Sequence, residues 1–166
     1  MGAVQPVDLE SVCAVLAIHT LKARYFRAID TRDWALLRTL FTPDATLHFT
    51  EAQNAPLGLE ASISFIASGM EGSTSVHHGH MPEIEIISPK AARGIWAMED
   101  RLWWQPGSAS RLGLATLQGC GHYYETYAHH DDGWRISSLR LVRQWVNAVP
   151  ATEINDNGTQ HRETTQ

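Results

Sequence analysis

The sequence predicts an α+β domain: a strongly curved, cone-shaped sheet, antiparallel or mixed, covered by about three N-terminal helices, an α+β barrel in outline. Two observations predict it. Apolar residues recur at helical spacing up to about Met70, and from Ser75 onward the pattern changes to the alternation of strands. Helices followed by antiparallel strands is the order of a domain whose helices pack on one face of a sheet.

The first helix begins at Asp8, a residue type that caps a helix N-terminus, and carries Leu9, Val12, Leu16, Leu21, Tyr25 and Ile29 at intervals of three to five. A second, shorter helix holds Trp34, Leu37, Leu40 and Phe41 behind a cap at Asp33, and Pro43 stops it. Leu59, Ile63 and Ile66 mark a third. Four strands follow: Ser75 to Ile87, Ala91 to Trp104, Gly119 to His129 and Trp134 to Val146. Asp131-Asp132-Gly133 suits a hairpin turn between the last two. Long strands that contain Gly94 and Gly121 imply strong curvature or bulges, and a curved sheet closed off by helices encloses an interior. One domain from Asp8 to Val149 is expected, with residues 1–7 and the polar stretch 150–166 as loose ends.

Composition narrows the function. The 166 residues are 43% hydrophobic and 19% charged, as in a globular protein, and no apolar run approaches the ~18 residues of a membrane span. A net charge of -5 with only 13 Lys and Arg argues against a nucleic-acid partner. The start MGAVQPVDLE lacks the basic and apolar regions of a signal peptide, so a cytoplasmic protein with no membrane partner is expected. Cys13 and Cys120 form no paired motif and read as buried, inert thiols. Six Trp and nine His point to a roomy apolar pocket with titratable groups nearby.

Charged residues on apolar faces are the functional candidates. In the strand from Ala91, the apolar parity reads Ala92, Gly94, Trp96, Met98, Asp100, Leu102 and Trp104, which places Asp100 among Trp and Met side chains. In the last strand Arg143 is flanked by Leu141 and Trp145 on the more apolar parity, Arg135, Ser137, Leu139, Leu141, Arg143, Trp145. An unpaired charge in such a place costs several kcal/mol on the order-of-magnitude scale, so the two either pair across strands or line a polar patch in the pocket. These readings are compatible. Asp30 sits where the first helix ends, facing the negative end of the dipole, which raises its proton affinity. An ordinary turn residue is the alternative reading. Tyr25 lies five residues earlier, about 140° around an ideal helix.

His77, His78 and His80 open a strand in Ser-Val-His-His-Gly-His-Met-Pro. Strict alternation puts His78 and His80 on one face and His77 on the other. No further ligand motif completes a metal site, so a single histidine acting as general base, oriented by a carboxylate, is the better reading.

Tyr25-Phe26-Arg27-Ala28-Ile29-Asp30, Trp34, His77-His78-Gly79-His80-Met81-Pro82-Glu83-Ile84-Glu85-Ile86, Trp96, Glu99-Asp100-Arg101-Leu102, Trp134 and Arg143 resemble the SnoaL-like branch of the nuclear transport factor two-like superfamily. The likeness runs from about Val12 to Val146 and is greatest to the bile acid 7α-dehydratases, with scytalone dehydratases and hexachlorocyclohexane dehydrochlorinases more distant. It implies a cone of curved sheet with three helices, an internal active site, and catalytic positions at Tyr25, Asp30, His77, Asp100 and Arg143. Preferring His77 to His78 goes against simple alternation and implies a bulge near Gly79. Trp96, Met98, His78 and Tyr124 are the expected substrate contacts. The resemblance implies no metal and no organic cofactor, a small hydrophobic substrate, and a homo-oligomer, a trimer or dimer. A cofactor-independent lyase that eliminates water or another small group from a cyclic, carbonyl-activated substrate is the leading reading. A ketosteroid-type isomerase or polyketide cyclase using the same pocket, and a non-catalytic subunit like those of ring-hydroxylating dioxygenases, are the rivals.

Overall fold

The computed structural model describes residues 8–105 and 111–152. Helix α1 spans Leu9–Asp30, α2 Trp34–Thr39 and α3 Leu59–Gly69. The strands are β1 Phe41–Phe49, β2 Leu57–Gly58, β3 Ser73–Gly79, β4 Glu83–Ser88, β5 Ala91–Trp104, β6 Leu114–His130 and β7 Gly133–Pro150. They form one sheet in the order β2-β1-β7-β6-β5-β3, with β4 pairing β5 beyond the end of β3. All neighbours are antiparallel except β1 and β7, so the sheet is mixed. It is curved but does not close, so the barrel outline holds only as an open cone. Helix α1 crosses the inner face against β3, β4 and β7, and α3 packs on β1.

Both expected caps form: Asp8 accepts from the Ser11 N–H at 2.7 Å, and Asp33 from the Leu36 N–H at 2.9 Å. The apolar face of α1 differs from expectation. Leu21, Tyr25 and Ile29 are buried with Ile18, Phe26 and Ala28, but Leu9 and Leu16 are 77% and 60% exposed because the first turns extend past the core. Helix α2 ends before Phe41, and Pro43 lies inside β1 rather than beyond a helix. Pro43 fits there because the β1–β7 ladder has no pairs between Phe41 and Thr46, where a missing N–H would matter.

The single strand expected from Ser75 to Ile87 is two. Both pair with β5, but between Gly79↔Met98 and Glu83↔Ile95 their side of the ladder uses one residue more than β5 does. The implied bulge therefore exists but lies just after Gly79. Within β3 the alternation is regular, with Ser75 and His77 buried and His78 exposed. At Gly79 a Cβ would come within 2.6 Å of the Phe26 ring, so any larger residue there would displace that ring.

Two irregularities reset the faces of β7. Ser137 has no partner between Tyr127↔Ile136 and Thr126↔Ser138, and Gln144 has none between Gly121↔Arg143 and Cys120↔Trp145. The inward set is Ile136, Leu139, Leu141 and Arg143, and Trp145 is turned out, 53% exposed, so it does not flank Arg143. Gly121 makes the second bulge feasible, since a Cβ would sit 2.2 Å from the Val142 carbonyl oxygen. The two-residue turn Asp131-Asp132 closes the β6–β7 hairpin on His130↔Gly133, with Gly133 at φ +122°. Strand β7 runs on through Val149 to Pro150, where the Ala151 N–H reaches the Gly113 carbonyl at 2.9 Å. The rest of the polar C-terminal stretch, 153–166, and residues 1–7 lie outside the described residues. Cys13 is exposed and Cys120 half-buried, so neither is the fully buried thiol expected. Among the described residues no helix is long and apolar enough to cross a membrane.

Candidate active site

Helix α1 ends against β3, and this junction builds the first half of the site. Arg32, in the left-handed region at φ 60°, turns its guanidinium back onto the Ile29 carbonyl at 2.7 Å, and onto the Ser73 carbonyl at 2.7 Å and Ser75 hydroxyl at 2.8 Å. A left-handed non-glycine residue costs ~1 kcal/mol, which these bonds offset, and the arginine covers carbonyls at the negative end of the helix. Asp30 is thereby held beside β3. It accepts from His77 Nδ1 at 2.6 Å, the His77 backbone N–H at 3.0 Å and the Ser75 hydroxyl at 2.8 Å.

Burial works to raise the Asp30 pKa, but the hydrogen bonds from the His77 ring and backbone and from Ser75 outweigh it and hold the carboxyl below its ordinary 3.8. The raised proton affinity expected from the helix dipole is thus reversed. With Nδ1–H committed to Asp30, Nε2 is the nitrogen left to act, and among the described residues it has no protein partner. His77 lines a cavity of about 500 Å³ together with Tyr25, Ile29, Phe49, Tyr123 and Arg143. Asp30 stands behind His77 rather than on the cavity, so the angle between Tyr25 and Asp30 around the helix is no obstacle. Two larger hollows, about 710 and 760 Å³, contain none of these residues and lie at the start of α1 and on the sheet between β4 and β7.

The second half comes from β5 and β7. Asp100 is directly opposite His77 in the β3–β5 ladder and is buried. Arg143 donates through Nη2 to Asp100 and through Nη1 to Glu51, in the turn after β1. Burial opposes the Arg143 charge, but Asp100, then Tyr123 and Glu51, hold it firmly protonated. The arginine lies flat over Gly119, where a Cβ would be 2.8 Å from its Cδ and Nε. Asp100 Oδ1 and Arg143 Nε are buried without hydrogen-bond partners among the described residues. So is the Tyr25 hydroxyl, which neighbours that of Tyr123 without forming a well-aligned bond. Burial pushes both phenols well above their ordinary pKa, so they remain donors.

A family model for the SnoaL-like domain matches residues 10–140. The chain belongs to the SnoaL-like domain family. A protein from Gibberella zeae named as a probable cyclase is 26% identical over 140 residues, covering 78% of this chain and 91% of that one. The crystal structure of a hexachlorocyclohexane dehydrochlorinase from Novosphingobium barchaimii superposes with a TM-score of 0.70 at 17% identity, over 86% of this chain and 94% of that one. A protein from Novosphingobium aromaticivorans, provisionally named a scytalone dehydratase, gives a TM-score of 0.68 at 16% identity over 85% and 95% of the two chains. At these identities the two structures establish the cone fold of the SnoaL-like chain.

Within this SnoaL-like domain the five expected catalytic positions form two groups that border one cavity, with Tyr25, His77 and Arg143 on it and Asp30 and Asp100 behind. The four expected substrate contacts lie elsewhere. His78 is on the outer face with Nδ1 3.4 Å from Glu99, because it has the opposite parity to His77. Tyr124 is also outside, its ring 4.9 Å from the Arg140 guanidinium. Trp96 and Met98 point inward but are sealed in the core, Trp96 donating to the Tyr127 hydroxyl at 2.8 Å. His80 is exposed, and among the described residues no three His, Cys, Asp or Glu side chains converge as a metal site.

Sequence reasoning missed Tyr123, Glu51, and a buried pair formed by Lys22 and Glu125. Glu125 also accepts from Tyr127, and the Lys22 ammonium lies 3.6 Å from the Tyr123 ring centroid and 4.2 Å from that of Tyr25. Burial brings the Lys22 pKa down to about 8 against the opposing pull of Glu125. The parity of Gly119, Gly121, Tyr123, Glu125 and Tyr127 along β6 is the signal that would have found Tyr123 and Glu125.

Proposed function

We propose that this SnoaL-like domain is a cofactor-independent lyase that eliminates water, or another small leaving group, from a cyclic hydrophobic substrate with an activating carbonyl. The observation that carries this reading is the Asp30–His77 pair, its Nδ1 side fixed by the carboxylate and its Nε2 side free on an apolar cavity. His77 Nε2 takes a proton beside the carbonyl, and Asp30 stabilises the imidazolium that forms. Tyr25, with Tyr123 beside it, donates to the oxygen on which negative charge develops. The C–O bond then breaks, and the imidazolium proton leaves with the hydroxide as water, which returns the histidine to its starting state. Asp100 and Arg143 fix the polarity of the pocket wall and each other's charge. The reading is further supported by relatives and fold neighbours named as a cyclase, a dehydratase and a dehydrochlorinase.

A cyclase or isomerase would use the same base, and the Gibberella zeae relative's name favours keeping the cyclase as the second reading. Product mass separates them. The test is a panel of cyclic ketols and hydroxylated enones incubated with wild type and His77→Ala, read by mass spectrometry for loss of water. Wild type is expected to dehydrate at least one of them, and His77→Ala to lose ~10² or more in turnover with its circular dichroism unchanged. Conversion without change of mass, or a His77→Ala protein as fast as wild type, contradicts the proposal.

A further inference from the structure

Among the described residues Arg143 is the cation set deepest in the cavity wall, yet both of its terminal nitrogens already face carboxylates. Asp100 is the expected partner. Glu51 comes from the turn after β1, on the opposite side of β7 from the strand that carries Asp100, and its position is built rather than incidental. The turn that carries it is fastened to β7 beside Arg143: the Thr50 backbone N–H and hydroxyl both reach the Leu141 carbonyl, at 3.2 and 3.0 Å. The Ala52 N–H closes the turn on the Phe49 carbonyl at 2.9 Å, and the Gln53 side chain accepts from the Phe49 N–H at 3.1 Å. A buried guanidinium with one carboxylate would be neutral as a pair. With two, the cluster carries a net negative charge on the cavity lining, with Asp100 fully buried and the Glu51 side chain 31% exposed, and the Asp30–His77 pair beside it adds no positive charge while the imidazole is neutral. Arg111, the other cation on the lining, is on the exposed rim with Glu71 4.0 Å away.

We propose that Glu51 sets the charge class of the ligand: by neutralising Arg143 a second time, it makes the cavity accept uncharged molecules and reject anions. The argument rests on reading this cavity as the ligand site. A carboxylate or sulfonate entering would give up its hydration to meet a negative cluster, whereas a ketone or alcohol meets phenol donors and apolar side chains. Removing the Glu51 charge while keeping its shape leaves Arg143 and Asp100 neutral overall and removes that penalty. Glu51 is thus a specificity-determining residue that selects what binds without touching the proton that moves.

The test uses two fluorescent probes with the same ring skeleton, neutral N-phenyl-1-naphthylamine and anionic 8-anilinonaphthalene-1-sulfonate, titrated into wild type and two variants. Glu51→Gln is expected to raise affinity for the sulfonate by about tenfold, the effect of one favourable charge change, and to leave the neutral probe within about twofold. Glu60→Gln removes the same charge from the surface, where Glu60 pairs with exposed Arg38, and is expected to change neither. Glu51→Asp keeps the charge and is expected to keep the preference. A sulfonate affinity that Glu51→Gln leaves unchanged, or that Glu60→Gln raises equally, overturns the assignment. Turnover on the ketol panel is read separately: preference intact with no dehydration brings down the lyase reading alone, and dehydration intact with no preference brings down only the role of Glu51.

Discussion

Two buried charge clusters share the inner side of this sheet and differ in what surrounds them. Around Glu125 every polar atom meets protein: Lys22 and Tyr127 donate to its carboxylate, and Trp96 donates to the Tyr127 hydroxyl. Aromatic rings cover the ammonium. Around His77 and Arg143 the partners run out. Among the described residues Tyr25 Oη, Asp100 Oδ1 and Arg143 Nε have none, and His77, Tyr25 and Arg143 border a cavity. A charge cluster whose hydrogen bonds are complete holds a fold together, whereas one with spare donors and acceptors beside a void is equipped to meet a ligand.

The contrast can be broken first at its structural end. Lys22→Met should destabilise the protein by roughly 3–5 kcal/mol, because Glu125 is left buried without its counter-charge. Adding Glu125→Gln should recover much of that loss. Urea denaturation measures both, and a Lys22→Met protein within about 1 kcal/mol of wild type would remove the distinction between the clusters.

A smaller effect is expected at Gly119. Gly119→Ala pushes on the Arg143 side chain, which can give way, so stability should fall by only about 1 kcal/mol. Displacement of the guanidinium should lower turnover by about tenfold, since misplacement by a fraction of an ångström is felt in catalysis. Thermal melting and initial rates on one dehydrated substrate check the two halves.

The smallest effects are in pH dependence, where the clusters act in different windows. Asp30, held below its ordinary 3.8 when folded, contributes stability that is full above that value and is lost as pH falls through the lower folded pKa. Lys22 has a folded pKa of about 8 against an ordinary 10.5, so between these values the unfolded chain binds a proton that the folded chain releases, and stability rises with pH. Denaturation series from pH 2 to 5 and from pH 8 to 10 should show the acid slope reduced in Asp30→Asn and the alkaline slope reduced in Lys22→Met.

Much of the fold was legible because its periodicities are clean. The inward parity of β5, with Asp100 on it, reads directly from Ala92 to Trp104. Strand β1 was not legible, since Pro43-Asp44 interrupts its alternation and leaves only Ala45, Leu47 and Phe49 as a short signal. Bulges at Ser137 and Gln144 defeat any fixed parity along β7, which is why Trp145 was misplaced, while Arg143 was correctly placed inward. Tyr123 and Tyr124 differ by one residue, and only the register of β6 decides which faces the cavity. Lys22 and Glu125 were open to the same reasoning that found Asp100, a charge among apolar neighbours on one face, applied to α1 and β6. Glu51 had no local signal: its meaning comes from Arg143, far away in the sequence and adjacent only in the folded chain.

The most direct test of the central claim, that Asp30 and His77 act as one catalytic unit, is a double-mutant cycle on turnover. Asp30→Asn and His77→Ala should each lower the rate by ~10² or more, and the double variant should be about as slow as His77→Ala alone, because the carboxylate acts only through the imidazole. All three should retain wild-type circular dichroism. Losses that multiply in the double variant, or an Asp30→Asn protein with full activity, would contradict the account.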